Sequence, residues 1–275
     1  MKRILITGEN SYIGTHIAAH LNSMPDRYAA ETVSMRKTTP DELDLHGTDA
    51  IVHVAAIVHR KNTGKLQPLY DAVNRDLTAA LAEKAKREGV KQFLFFSSIG
   101  VYGKIEGVIG ADAEPNPRTR YERSKLEAER RIAPLADDSF FVTILRAPAV
   151  FGPGAKGNPA RIERIAKYLP VCPDFENRRS MVAIDTLCET VEALLAEPRS
   201  GIFVPQEKQP VSTGGLLFRA MQAQGRTPRK SKIFNPAIRA ARACTAIGKK
   251  AFGDLLYEGP FERNLFSENR EETVE

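Results

Sequence analysis

Tyr121-Glu122-Arg123-Ser124-Lys125 sets a phenol and an ammonium four residues apart, and on a helix that spacing puts both on one face. A phenol with an unperturbed pKa of about 10 takes a proton from an alcohol at neutral pH only where nearby positive charge favours its ionised form. Lys125 supplies such a charge, which makes Tyr121 a candidate general base. Upstream, Ser97-Ser98 followed by Val101-Tyr102-Gly103 offers hydroxyls at which an alcohol can be held. The same spacing also describes an exposed helix pair, so the elements around it decide whether it is a site.

Those elements begin at the N-terminus. Arg3-Ile4-Leu5-Ile6-Thr7 reads as a short buried strand running into Gly8-Glu9-Asn10-Ser11-Tyr12-Ile13-Gly14, with Ile17, Ala18 and Leu21 following on one side of a helix. A glycine-rich turn between strand and helix lets the backbone approach a pyrophosphate and aims the free amides of the helix at it. Gly8, Ser11, Tyr12, Ile13 and Gly14 are therefore candidate dinucleotide contacts. Ser11 stands where a middle glycine is usual; its hydroxyl is a phosphate contact in one reading, and the turn is purely structural in the other. A second strand is expected from Glu31 to Met35. A carboxylate at its end would bind a ribose 2′-hydroxyl and repel a 2′-phosphate. Ser34-Met35-Arg36-Lys37 has no carboxylate and two cations, so Arg36 is the candidate reader of that phosphate and NADP is favoured over NAD.

Asp49 to Ala56 reads as a third parallel strand whose small Ala55 and Ala56 let the cofactor cross its carboxyl end, where open parallel sheets bind ligands. Lys91 to Phe96 reads as a fourth, delivering Ser97 and Ser98 to the same edge. His53 is expected to pack within its strand. Asn74, near the start of the intervening helix, is expected to cap, to pack or to orient groups beside the nicotinamide.

Taken in order, Thr7-Gly8 to Gly14, His53-Val54-Ala55-Ala56, Asn74, Ser97-Ser98, Val101-Tyr102-Gly103, Tyr121 with Lys125, and Arg146-Ala147-Pro148-Ala149-Val150-Phe151-Gly152-Pro153-Gly154 carry a resemblance. The chain resembles the extended short-chain dehydrogenase/reductase superfamily, and within it the NAD-dependent epimerase/dehydratase family that includes UDP-glucose 4-epimerases. The similarity runs from residue 1 to about residue 225. It implies an α/β fold, a Rossmann-like doubly wound parallel sheet with a small C-terminal substrate-binding lobe. Residues 1–151 would form the NAD(P)-binding domain and 152–275 mainly the lobe, with 182–204 returning to the sheet. The resemblance also implies Ser98 as the residue orienting the substrate hydroxyl, Tyr121 as the base, Lys125 as its partner, and Ser97 and Pro148 beside the cofactor. Gly157-Asn158-Pro159 and Arg178-Arg179-Ser180-Met181-Val182 fall where such enzymes bind a nucleotide diphosphate. Arg179 then takes the phosphate-binding place and Asn158 is a second contact; an exposed arginine pair opening a strand is the alternative.

Ile99 and Gly100 occupy the positions where the family's dehydratases carry Asp-Glu, so dehydration is rejected and hydride transfer at a sugar carbon is kept. Three readings follow. The first is an epimerase acting at C4 of a UDP-hexose or UDP-N-acetylhexosamine. The second is an NADPH-dependent 4-ketosugar-nucleotide reductase, which Arg36 favours. The third, a non-catalytic dinucleotide-sensing regulator, is disfavoured by the joint presence of Ser98, Tyr121 and Lys125. Family analogy adds a role in surface-polysaccharide precursor synthesis and a homodimer through helices around residues 66–88 and 117–134.

The chain has 275 residues, 42% of them hydrophobic, with no long apolar run and no N-terminal signal pattern, which together lead to the expectation of a soluble cytoplasmic enzyme. Cys172, Cys188 and Cys244 lie far apart without metal-ligand spacing, and His16 and His20 share a helix face without further ligands, so no metal is expected. The net charge of +6 is concentrated: Arg226, Arg229, Lys230, Lys232, Arg239, Arg242, Lys249 and Lys250 crowd one stretch. Read as a single helix from Pro236 to Phe252, Arg239, Arg242, Lys249 and Lys250 share about one third of the circumference, and Ile238, Cys244, Ile247 and Phe252 lie outside it. That stripe is a solvated face, a site for acidic nucleotides or a weak contact with an anionic membrane surface through residues 226–250. Nucleic-acid binding is not expected, because the stretch lacks interleaved aromatics and a reading motif. Glu268 to Glu275 reads as a frayed acidic tail.

Overall fold

The computed structural model describes residues 1–58, 67–155 and 158–263. Its first half alternates strand and helix: β1 (Lys2–Thr7), α1 (Tyr12–Asn22), β2 (Tyr28–Val33), β3 (Ala50–His53), α2 (Gln67–Tyr70), a π-helical turn (Asp71–Asp76), α3 (Leu77–Arg87) and β4 (Gln92–Phe96). A 3-10 turn (Ile99–Tyr102), β5 (Gly107–Ile109), α4 (Arg120–Ile132), a second 3-10 turn (Ala133–Leu135), β6 (Phe141–Leu145) and β7 (Ala149–Phe151) follow. The remainder holds α5 (Asn158–Tyr168), β8 (Cys172–Pro173), β9 (Met181–Ala183), α6 (Ile184–Ala196), β10 (Gly201–Phe203), α7 (Thr213–Ala223), β11 (Lys230–Ser231), α8 (Asn235–Cys244), α9 (Ala246–Phe252), β12 (Leu255–Tyr257) and β13 (Glu262–Arg263).

Seven strands form one sheet in the order β13-β10-β6-β4-β3-β1-β2, parallel except for β13. Buried on both faces, β3 and β4 are the near-continuous apolar runs that a covered parallel sheet requires. Helices α1 and α6 cover one face, with Ile17, Leu21, Leu187, Val191, Leu194 and Leu195 meeting Ile4, Ile6, Val52 and Leu94. Helices α3 and α4 cover the other, with Leu81, Ala85, Ala128 and Ile132 on Ile51, Phe93, Phe95 and Val142. The sheet is thus doubly wound, and the carboxyl ends of β1, β3 and β4 share one edge.

Three boundaries differ from those expected. β2 starts at Tyr28 rather than Glu31 because it pairs residue for residue with β1, Lys2 opposite Tyr28 through Thr7 opposite Val33. Of the stretch from 182 to 204, α6 and β10 join the sheet layers, whereas β9 pairs with β7 in a separate ribbon. The single helix expected from Pro236 to Phe252 is two: Thr245 adopts an extended backbone and accepts a hydrogen bond from Gly248 N at 2.8 Å, capping α9 anew. Beyond the sheet, α5 and α7 pack through Ala166, Leu217 and Met221, while β8 pairs with β11 and β5 with β12. Gly157, residue 66 of the expected dimer helix and the acidic tail lie outside the described residues. Among those described, no helix is long and apolar enough to cross a membrane, and no group of three or more His, Cys, Asp or Glu is placed to hold a metal ion.

Candidate active site

The turn after β1 is built around two glycines. Gly8 has φ 101°, where a side chain is strained, and a Cβ on Gly14 would lie 2.6 Å from Ser11 Oγ and 2.9 Å from Gly8 O. The Ser11 hydroxyl accepts a hydrogen bond from Gly14 N at 2.9 Å, so the residue in the unusual position is the N-cap of α1. The first turn of α1 carries no acidic residue. Its amides and partial positive charge therefore form a cradle that a Cβ would fill and that fits a pyrophosphate. Ile13 packs against the core, and the Tyr12 hydroxyl is buried without a hydrogen-bond partner. Arg36 and Lys37 are exposed in the turn after β2, with no carboxylate at that strand's end.

Beside this turn, polar side chains lock the end of β3. Thr7 Oγ1 accepts from Val54 N and Ala55 N, both at 3.1 Å, so its own proton goes to His53 Nδ1 at 2.8 Å. Thr78 Oγ1 donates to Asn74 O at 2.8 Å and is left to accept from His53 Nε2 at 3.0 Å, which fixes the neutral tautomer. Burial, and secondarily Lys125, hold His53 down at about 3. It is a packed strand histidine, as expected. Asn74 clamps the next residue from both sides: its Oδ1 accepts from Ile57 N at 2.8 Å, and its Nδ2 donates to Ile57 O at 3.0 Å and to Ser124 Oγ at 3.1 Å. The loop bearing Ala55 and Ala56 is thereby tied to α4, through a residue in the π-helical turn.

The capping box of Thr119 and Glu122 fixes where α4 starts and hence where Tyr121 and Lys125 point. Ser98 and Tyr121 meet: their side chains are hydrogen-bonded. Lys125, 1% exposed, lies beneath, its Nζ donating to Phe96 O at 2.7 Å and standing 4.4 Å from the centre of the Phe95 ring. Burial pushes the phenol up to about 12, the Ser98 hydrogen bond works against that rise, and Glu122 and Tyr70 add to it. The lowering expected from Lys125 does not appear, because its ammonium is directed to the Phe96 carbonyl. Burial brings Lys125 itself down to about 7, opposed by Glu129.

Ser97 faces away from Ser98. Its hydroxyl donates to Glu129 Oε1, and Glu129 is held by Arg146, whose Nη2 reaches Oε2 at 2.6 Å and whose Nε reaches both oxygens at 3.2 and 3.1 Å. Arg146 also donates to the Tyr102 hydroxyl at 2.9 Å. Sequence reasoning missed Glu129; the signal was its place one further turn along the Tyr121–Lys125 face. Pro148 is buried past the end of β6. Arg179 lies just before β9, and its Nη1 donates to Gly253 O at 2.7 Å. Asn158 opens α5, and its side chain lies outside the described residues.

A model of the NAD dependent epimerase/dehydratase family matches residues 4–204. A UDP-glucose 4-epimerase of Vibrio cholerae is 33% identical over 244 residues, covering 78% of this chain and 74% of its own. Among solved structures, UDP-glucuronic acid 4-epimerase from Bacillus cereus in complex with UDP-glucuronic acid and NAD aligns with a TM-score of 0.70 at 20% identity, over 94% of this chain and 90% of that one. RMD from Pseudomonas aeruginosa complexed with NADPH gives a TM-score of 0.70 at 19% identity, with the same coverages of 94% and 90%. These two share the fold, and the family model spans most of the sequence. The chain belongs to the NAD-dependent epimerase/dehydratase family, with a nicotinamide dinucleotide as its cofactor.

Proposed function

We propose that this protein is an NAD(P)-dependent 4-epimerase of a UDP-hexose or UDP-N-acetylhexosamine, with Tyr121 as the base. The observation that carries the reading is the hydrogen-bonded Ser98–Tyr121 pair above the anchored Lys125, at the sheet edge where the dinucleotide turn ends. Similarity to the Vibrio cholerae UDP-glucose 4-epimerase supports the substrate class. When bound, the dinucleotide accepts a hydride from the sugar carbon and can return it.

The chain's own residues handle the proton. Ser98 holds the sugar hydroxyl against the phenol, and Tyr121 takes the hydroxyl proton as the carbon is oxidised. With its value near 12 and no lowering from Lys125 while that ammonium is held by Phe96 O, Tyr121 acts as a base at neutral pH only when further positive charge beside it outweighs burial; the oxidised nicotinamide would supply that charge when bound, and Lys125 would add to it on turning from Phe96 O toward the phenol. Tyr121 would give its proton back to the C4 oxygen as the 4-ketose is reduced on its opposite face, which would invert C4. Arg179 would meet the diphosphate once its guanidinium leaves Gly253 O. Tyr12, Ile13 and Gly14 line the pyrophosphate turn, with Ala55, Ala56 and Pro148 along the cofactor and Asn158 near the substrate.

A reductase of 4-ketosugar nucleotides is the second reading, favoured by the exposed Arg36 and the missing carboxylate after β2. The test is to denature the purified protein, identify any dinucleotide released, titrate the apoprotein with NADH and NADPH, and assay interconversion of UDP-glucose with UDP-galactose and of their N-acetyl counterparts. Retained NAD with interconversion supports the epimerase. Exchangeable NADPH, with no interconversion but consumption of a 4-ketosugar nucleotide, replaces it by the reductase.

A further inference from the structure

Between Ser212 and Phe252 the chain carries nine Lys and Arg and no Asp or Glu, an excess larger than the whole protein's net charge of +6. The structure sorts these cations into two groups. Arg242 lies 3.8 Å from Glu106 and 3.5 Å from Asp254, Lys249 lies 3.4 Å from Glu106, and Arg226 donates to Ala166 O and Leu169 O at 2.6 and 2.5 Å. Lys230 reaches Asp174 at 4.0 Å. Arg219, Arg229, Lys232, Arg239 and Lys250 are exposed, and their side chains make no ion pair or hydrogen bond with the described residues.

Aliphatic side chains stand among the second group. The break at Thr245 reorients α9, and Gly248 holds it against α8 so closely that a Cβ there would lie 2.0 Å from Ala241 O. Lys249 consequently turns inward to Glu106, while Ile247 and Lys250, neighbours on one face of α9, turn outward. Ile247 is 78% exposed. Ile233, beside Lys232 in the turn before α8, is 73% exposed. A free phosphate or a nucleic acid asks only for the cations. An anionic bilayer takes up cations and inserted apolar side chains together, and the carboxylates that face the segment from other elements, Glu106, Asp254 and Asp174, are each matched by one of its cations.

We infer that α8, α9 and the turn before them dock on an anionic phospholipid bilayer, with Ile233 and Ile247 entering the headgroup boundary and Lys232, Arg239 and Lys250 meeting lipid phosphates. None of these residues bonds to Ser98, Tyr121 or Lys125, so the inference stands apart from the reaction. The test is cosedimentation of the full chain with vesicles of phosphatidylcholine alone and of phosphatidylcholine mixed with phosphatidylglycerol. Binding is expected to the mixed vesicles only, and to weaken in high salt. Arg239→Glu and Lys250→Glu are each expected to lower vesicle affinity about fivefold or more. Ile247→Ser, at unchanged charge, is expected to lower it by a similar factor, roughly fivefold. Circular dichroism and thermal midpoint of the variants report whether folding is intact. Failure to bind mixed vesicles overturns the proposal. So does binding that Ile247→Ser leaves unchanged, because a surface that reads charge alone suits a soluble polyanion.

Discussion

Glu129 and Arg146, 3% and 1% exposed, meet through three nitrogen–oxygen contacts and are further bound by Ser97 and Tyr102, whereas Arg239 and Lys250 are exposed with no partner among the described residues. The difference follows from dielectric. An unpaired charge in the interior is costly, so every buried charge here fixes the position of what surrounds it. At the surface, water and salt screen the same charge, and it constrains nothing within the fold. The seam behind Lys125 therefore uses charge to place α4 against β4 and β6, whereas in the segment from 212 to 252 Arg219, Arg229, Lys232, Arg239 and Lys250 hold nothing in place among the described residues.

The comparison breaks if seam charges prove as dispensable as surface ones. Glu129→Ala removes the carboxylate that faces the buried Arg146 guanidinium, and urea unfolding is expected to show a loss of about 3–5 kcal/mol. Replacing both partners, Glu129→Gln with Arg146→Met, is expected to restore much of that loss, and a double variant no more stable than the single would mean the pair is not the unit. Tyr121→Phe is expected to lower turnover by about a thousandfold while dinucleotide affinity, read by fluorescence titration, changes little; retained turnover removes Tyr121 from its role.

Titration sharpens the same contrast. The unfolded chain binds a proton on His53 below its ordinary value near 6.5, and the folded protein, holding His53 at about 3, does not. Stability from this group is present above 6.5 and is lost as pH falls toward 3. Lys125, at about 7 when folded against 10.5 in the open chain, has the same sign in a higher window: its contribution improves as pH rises from 7 to 10.5. Thermal midpoints measured against pH should rise along both windows, with His53→Gln flattening the acid limb and Lys125→Met the alkaline one. The smallest effect belongs to the surface: Lys250→Ala should change unfolding free energy by no more than about 0.5 kcal/mol.

Local chemistry was legible without the fold. The apolar runs of β1 and β4, the glycines around Ser11, the missing carboxylate after β2 and the spacing of Tyr121 and Lys125 depend on neighbours a few residues away, and the sequence holds those neighbours in order. The direction of each side chain depended on residues far along the chain. Ser97 and Ser98 are adjacent, but at the end of an extended strand they point to opposite sides, one to Glu129 and the other to Tyr121. Lys125 reached the Phe96 carbonyl rather than the phenol, Arg179 took Gly253 O, and β2 slid to match β1. The helix expected to run through Thr245 broke there, with Gly248 packed against Ala241, and that turned Ile247 out of the protein. Sequence by itself determined the elements and the inventory of reactive groups, because both follow from short-range sterics and hydrogen bonding. Tertiary structure alone decided which groups are buried, paired or free, because those depend on partners dozens of residues away.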